Sequence, residues 1–221
     1  MAIYSRAVLG ICLSLLFLVS GASAESVSKI ASRIDRHYNH LHSFHSRFEE
    51  IYEGAGISRK EAGELFLEKP GKMRWNYEQP RPKIFLSDGK TAYFYVPGDQ
   101  QARKMPVKKL ADLRSPIRLL LGHTELQKEF RGLTLSSEKP LEPSDLVLQG
   151  VPKGMEDRIS RVLLEVSPEG QIARIFVEEL DGATTDFRFA DIQENVSLSP
   201  DLFKFTAPPG IQIIETNEVG P

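Results

Sequence analysis

The chain has 221 residues, with 28 Lys and Arg against 30 Asp and Glu and a formal charge of −2. That balance, with no basic run, excludes a nucleic-acid binder, and the single cysteine excludes a disulfide scaffold or a zinc-cysteine site. There is no H-E-x-x-H, G-x-S-x-G, P-loop or dinucleotide glycine turn, so no catalytic residue, metal or cofactor is expected.

In chain order, Arg6 precedes a short apolar stretch, Ala7 to Val19, and Ala22-Ser23-Ala24 follows as a small-residue A-x-A site. That is the pattern of a secretory signal peptide covering residues 1–24 and cut before Glu25. The stretch has 13 residues, short of the roughly 20 that a spanning helix needs. Cys12 sits within the apolar run after Ile11, rather than behind small residues at its end, so it reads as filler and not as a lipidation site. Cleavage leaves 197 residues, 25–221, which suit one soluble, secreted, cysteine-free domain.

The first mature segment is predicted to be a helix. Val27, Ile30, Ile34, Tyr38 and Leu41 recur at helical spacing, with Ser26 or Ser28 as N-cap and an end near Ser43. Four histidines, His37, His40, His42 and His45, straddle that end, a placement that suits a solvated helix terminus better than convergence on one ion.

From Phe44 the rhythm is that of strands. The first runs to Gly54-Ala55-Gly56, and others are expected at 61–69, 73–78, 83–87, 90–96 and 101–105. Turn chemistry separates them: Lys69-Pro70-Gly71, Gln79-Pro80-Arg81-Pro82 and Asp88-Gly89. Residues 108–122 break the pattern and read as one or two short helices, with Leu110, Leu113, Ile117, Leu120 and Leu121 on an apolar stripe. Strands resume at 132–137, 145–151, 159–167, 171–180 and 184–193, giving about eleven without βαβ alternation. Glu49-Glu50 and Glu178-Glu179 are adjacent on strands, so each pair splits between faces and reads as edge or outer-face charge. Several strands are apolar on both faces, so a second layer is needed, and the two helical segments are the expected cover.

The segment from Glu64 to Val96 resembles the core signature of the outer-membrane lipoprotein carrier family. The ordered marks are Lys69-Pro70, Met73, Trp75, Gln79-Pro80, Ser87 to Lys90 and Tyr93-Phe94-Tyr95. Phe44-His45 with Phe48, Ser115-Pro116-Ile117, and the tail Phe203-Lys204-Phe205-Thr206 to Pro209-Gly210 extend the match over nearly all of the mature chain. The resemblance implies a mainly β fold: an unclosed antiparallel barrel of about eleven strands, with a helical lid over an apolar cavity that takes lipoprotein acyl chains. Leu65, Leu67, Met73, Trp75 and Tyr77 are expected to face that cavity, with Ile30, Ile34, Leu113, Ile117, Leu120 and Leu121 as the underside of the lid. Where well-known members carry an arginine that reaches lid carbonyls, this chain has Lys69, a candidate latch with three donors on a flexible stem instead of five in a fixed fork.

The resemblance further implies a monomeric periplasmic chaperone. It would receive acylated lipoproteins from an inner-membrane ABC-type release complex and pass them to an outer-membrane receptor. That receptor, itself lipidated, and a small-lipid binder or sensor on the same scaffold are the alternatives. The missing lipidation cysteine argues against the first, and the short chain leaves little room for the added domain the second would need.

Overall fold

A computed structural model describes residues 25–107 and 124–216. The apolar run with its A-x-A site, and the expected helices at 108–122, lie outside the described residues.

The first helix, α1 (Val27–His40), starts where Ser26 Oγ accepts from the Lys29 amide, and the Leu41 amide closes it on the Tyr38 carbonyl. Its buried stripe is Ile30, Ala31, Ile34 and Tyr38, as the three-and-four spacing requires. Each such aliphatic burial is worth roughly 1.5–3 kcal/mol, and this stripe fixes which way the helix faces.

Next come β1 (Ser43–Gly54), β2 (Ile57–Glu68), β3 (Lys72–Gln79), β4 (Lys83–Asp88), β5 (Thr91–Tyr95) and β6 (Gln101–Pro106). After a single helical turn, α2 (Leu126–Glu129), follow β7 (Phe130–Leu135), β8 (Leu146–Pro152), β9 (Ile159–Val166), β10 (Ile172–Glu179) and β11 (Thr184–Glu194). A 3-10 turn at Pro200–Phe203 leads to β12 (Gln212–Glu215). All lie in one sheet of order β12-β6-β5-β4-β3-β2-β1-β11-β10-β9-β8-β7. Among the described residues β7 and β12 remain unpaired edges, so the barrel is open, and every pairing is antiparallel except β12 with β6. Among the described residues the sheet thus holds twelve strands where the sequence indicates eleven; the extra one is short and parallel.

Two hairpin meanders, β1–β6 and β7–β11, meet at one seam, where β1 pairs with β11 from Phe44 opposite Glu194 to Glu53 opposite Thr184. At Asp88-Gly89 only Gly89 takes a positive φ (93°), and Asp88 Oδ1 accepts from the Lys90 and Thr91 amides, so aspartate shapes the turn through its side chain.

Residues directly opposite in a ladder share a face. Leu67 opposes Met73, Leu65 opposes Trp75, and Trp75 opposes Phe85. These belong to one core cluster with Ile30, Ile34 and Tyr38 of α1, so the helix covers this concave face. The opposite face is covered differently from the expectation. Leu86 and Tyr93 lie there, and the tail after β11 crosses it: the Phe205 ring stacks on Tyr93 with centroids 4.9 Å apart, and Phe203 is buried. The Leu202 carbonyl accepts from Arg74 Nη1 at 2.9 Å. No described α-helix does this work; a strap that starts with the 3-10 turn at Pro200–Phe203 and ends in β12 does.

Candidate functional site

The concave face gathers the five side chains expected to line a cavity. Leu65, Leu67 and Trp75 are buried there, and Met73 and Tyr77 are half-buried beside them. Phe48 stands edge-on to both Trp75 (centroids 4.6 Å apart) and Tyr77 (5.0 Å), and Phe187 from β11 completes the aromatic patch 5.7 Å from Trp75. Gly63 makes that approach possible. It opposes both Phe48 and Tyr77 where the β2–β3 register slips, and a Cβ there would sit 1.9 Å from the Asn76 carbonyl oxygen.

Ile30 and Ile34, expected beneath the lid, are buried against this patch. Leu113, Ile117, Leu120 and Leu121 lie outside the described residues. Polar contacts fix α1 to both halves of the sheet. Lys69 Nζ donates to the Tyr38 carbonyl at 2.5 Å, and burial pushes the Lys69 ammonium pKa down. From the second meander, the Ile172 amide donates to Tyr38 Oη at 2.9 Å, just before β10 begins its pairing with β11 at Arg174. The Tyr38 phenol, fully buried, is pushed well above its ordinary pKa and stays neutral. Asp35 Oδ1 accepts from Thr124 Oγ1 and from the Leu126 amide, tying α1 to the start of α2.

The histidines take separate partners. His37 Nε2 meets Glu194 Oε1 at 2.7 Å, His40 Nδ1 meets the Arg36 carbonyl, and His45 stacks on Phe66. Among the described residues no three metal-ligating side chains converge. A shallow cleft lined by Glu25, Lys29, Ser32, Arg33 and Arg36 lies on the polar outer side of α1, away from the apolar patch.

Glu50 differs from the sequence expectation. Glu50 is not an outer-face charge on an edge strand, because β1 is central and its inward series Phe44, Ser46, Phe48 continues to Glu50. Its carboxylate accepts from Tyr77 Oη at 2.7 Å, and burial raises its pKa, partly offset by that bond. Beside it, Glu61 is buried and bonded to Lys83, also buried. Reading the period of two through the charged residues would have found all three.

The fold defines a class: one open antiparallel sheet with an apolar inner face capped by a helix. Residues 39–206 match the family described as outer membrane lipoprotein carrier protein LolA, and the chain belongs to that family. The outer-membrane lipoprotein carrier protein of Alkalilimnicola ehrlichii is 32% identical over 212 residues, spanning 94% of this chain and 92% of the relative. That of Nitrosospira multiformis is 32% identical over 160 residues, 72% and 74% of the two chains. Among solved structures, an uncharacterized conserved protein from Thermus thermophilus superimposes with a TM-score of 0.55 at 12% identity, covering 85% of this chain and 98% of that one. The lipoprotein LppX of Mycobacterium tuberculosis gives 0.51 at 10% identity, covering 78% and 98%. These two likenesses show the fold alone.

Proposed function

We propose that the chain is a non-enzymatic periplasmic carrier that shields the acyl chains of lipoproteins on its concave face between the inner and outer membranes. Family membership supports this reading, and the observation that carries it is the continuous apolar surface of Leu65, Leu67, Met73, Trp75 and Tyr77 under α1. Such a surface answers a physical need. Each buried methylene contributes about 0.8 kcal/mol, so a multiply acylated protein does not cross water unaided. Aromatic, leucine and methionine side chains can repack around different chains and release them again.

In this reading Ile30 and Ile34 form the lid's underside, together with the stripe Leu113, Ile117, Leu120 and Leu121. Lys69 is the latch, holding α1 by the Tyr38 carbonyl. Releasing the Tyr38 carbonyl from Lys69 gives up a hydrogen bond from a charged donor, on the order of 1.5–3 kcal/mol; opening must also break the Asp35 and Tyr38 side-chain bonds and expose the buried stripe of α1, work that falls to a partner. An ATP-driven inner-membrane release complex loads the carrier, and an outer-membrane receptor unloads it.

Native mass spectrometry of the protein purified from the periplasm tests this. Adduct masses corresponding to acylated peptide are expected, and titration with a dipalmitoylated lipopeptide should shift the emission of Trp75, the only tryptophan. A chain that emerges free of lipid and takes up no lipopeptide would overturn the proposal.

A further inference from the structure

At one end of the concave face the apolar lining stops at charge. Along β1 the inward series Phe44, Ser46, Phe48 ends at Glu50; along β2 the series Leu67, Leu65, Gly63 ends at Glu61; and Lys83 opposes Tyr77 on β4. Glu50 and Glu61 are direct cross-strand neighbours, an arrangement that is destabilising by itself. Lys83 Nζ donates to Glu61 Oε2 at 2.8 Å, with the two side chains only 10% and 7% exposed. Well-packed apolar residues would hold these positions at least as well as a buried ion pair does. Stability therefore does not explain the cluster.

Some donors here are left without an aligned acceptor. An ammonium has three donors; of those of Lys83, Glu61 takes one, and the group otherwise faces the Tyr77 ring, 4.1 Å from its centroid. Arg59 Nε approaches the same Glu61 oxygen to 3.3 Å, is not aligned to donate, and has no hydrogen-bond acceptor among the described residues. The Glu50 carboxylate is already engaged by Tyr77. A ligand group suited to this spot offers lone pairs and no proton. It is also uncharged, because the two carboxylates would repel an anion and the two cations an ammonium. An ester carbonyl, the link that joins a fatty acyl chain to a glyceryl-modified protein, has those properties.

We propose that Lys83, with Arg59 beside it, is a subsite for the ester carbonyl of an acyl chain whose methylenes run over Tyr77, Phe48 and Trp75 toward Leu65 and Leu67. This rests on the carrier reading and makes it specific: the concave face recognises the linkage as well as the hydrocarbon. Glu61 holds the ammonium in place and spares the site a net positive charge, so that it attracts a dipole and not a phosphate.

The test compares two probes on the intact mature chain: a diacylglyceryl-cysteine lipopeptide and its dialkyl-ether analogue, identical except for the carbonyl oxygens. Affinities are read from Trp75 emission and checked by native mass spectrometry. The wild-type chain should prefer the ester by about tenfold, the worth of one hydrogen bond to a charged group. Lys83→Met should bring that ratio close to one, and Lys83→Arg should keep most of it. Should Lys83→Met fold poorly, the double replacement Lys83→Met with Glu61→Leu removes the pair together and should show the same loss of preference. A wild-type chain that binds both probes equally, or a Lys83→Met chain that keeps its preference, overturns the subsite and leaves the carrier reading standing. A wild-type chain that binds neither probe overturns both.

Discussion

Replacing Tyr38 by phenylalanine keeps the ring and removes one oxygen. That oxygen accepts from the Ile172 amide at 2.9 Å in a fully buried setting. Ile172 precedes the residues of β10 that pair with β11, so the phenol satisfies an amide that the ladder leaves over. With phenylalanine, this N–H would be buried without an acceptor, at about 1–3 kcal/mol, while the packing of the ring against the core is retained. A 2 kcal/mol loss lowers Tm by roughly 4–8 °C in a domain of this size. Two measurements check it: thermal unfolding followed by circular dichroism, and hydrogen exchange at the Ile172 amide, which should accelerate while amides in the β1–β2 ladder are slowed or sped no more than global stability dictates. The Lys69 bond to the Tyr38 carbonyl is untouched by the substitution, so any loosening of α1 reports on its tie to β10 alone. A Tm within a degree of wild type, with Ile172 still protected, would refute the assignment of Tyr38 as the tie between α1 and β10.

Gly63→Ala should cost at least the 1–3 kcal/mol typical of overpacking, because the added methyl would meet the Asn76 carbonyl backbone and separate Phe48 from Tyr77; a denaturation midpoint equal to wild type would show that the strands can yield there. Glu50→Gln probes the raised carboxylate pKa. The folded state holds this proton more tightly than the unfolded state, so wild-type stability falls as pH rises from the ordinary carboxylate range through the raised folded pKa. The glutamine variant lacks that decline, and its stability relative to wild type should climb across the window and level off above it. Denaturant midpoints at a series of pH values check this, and parallel curves for the two proteins would contradict it.

The strands were legible because period two and turn residues agree. Met73, Trp75 and Tyr77 fall on one face with Pro70-Gly71 and Pro80 at either side, and β3 forms at Lys72–Gln79. The helix was legible because Ile30, Ile34 and Tyr38 recur at fours behind a serine cap. What escaped has physical reasons. Gln212–Glu215 is too short to carry a period, its two isoleucines are adjacent, and its pairing is parallel to a strand more than 100 residues earlier, which no local pattern encodes. Phe203 and Phe205 cover the outer face from an irregular segment, where neither helical nor strand spacing marks a side chain as buried. Glu50 reads as an edge or outer-face charge because charge on a strand signals exposure, and no local signal marks Glu61 and Lys83 as buried, although the parity of all three points inward.

The single seam between the two meanders bears on when this protein can finish folding. Each meander is assembled from neighbouring hairpins, but Phe44 finds its partner only when Glu194 has arrived, and α1 packs on both halves at once. Such long-range closure is slow relative to local pairing, and no complete core exists until nearly the whole polypeptide has been delivered. The late closure keeps the apolar inner face open to solvent until the last strands are made, so the unfinished chain is exposed to misassociation for most of its synthesis.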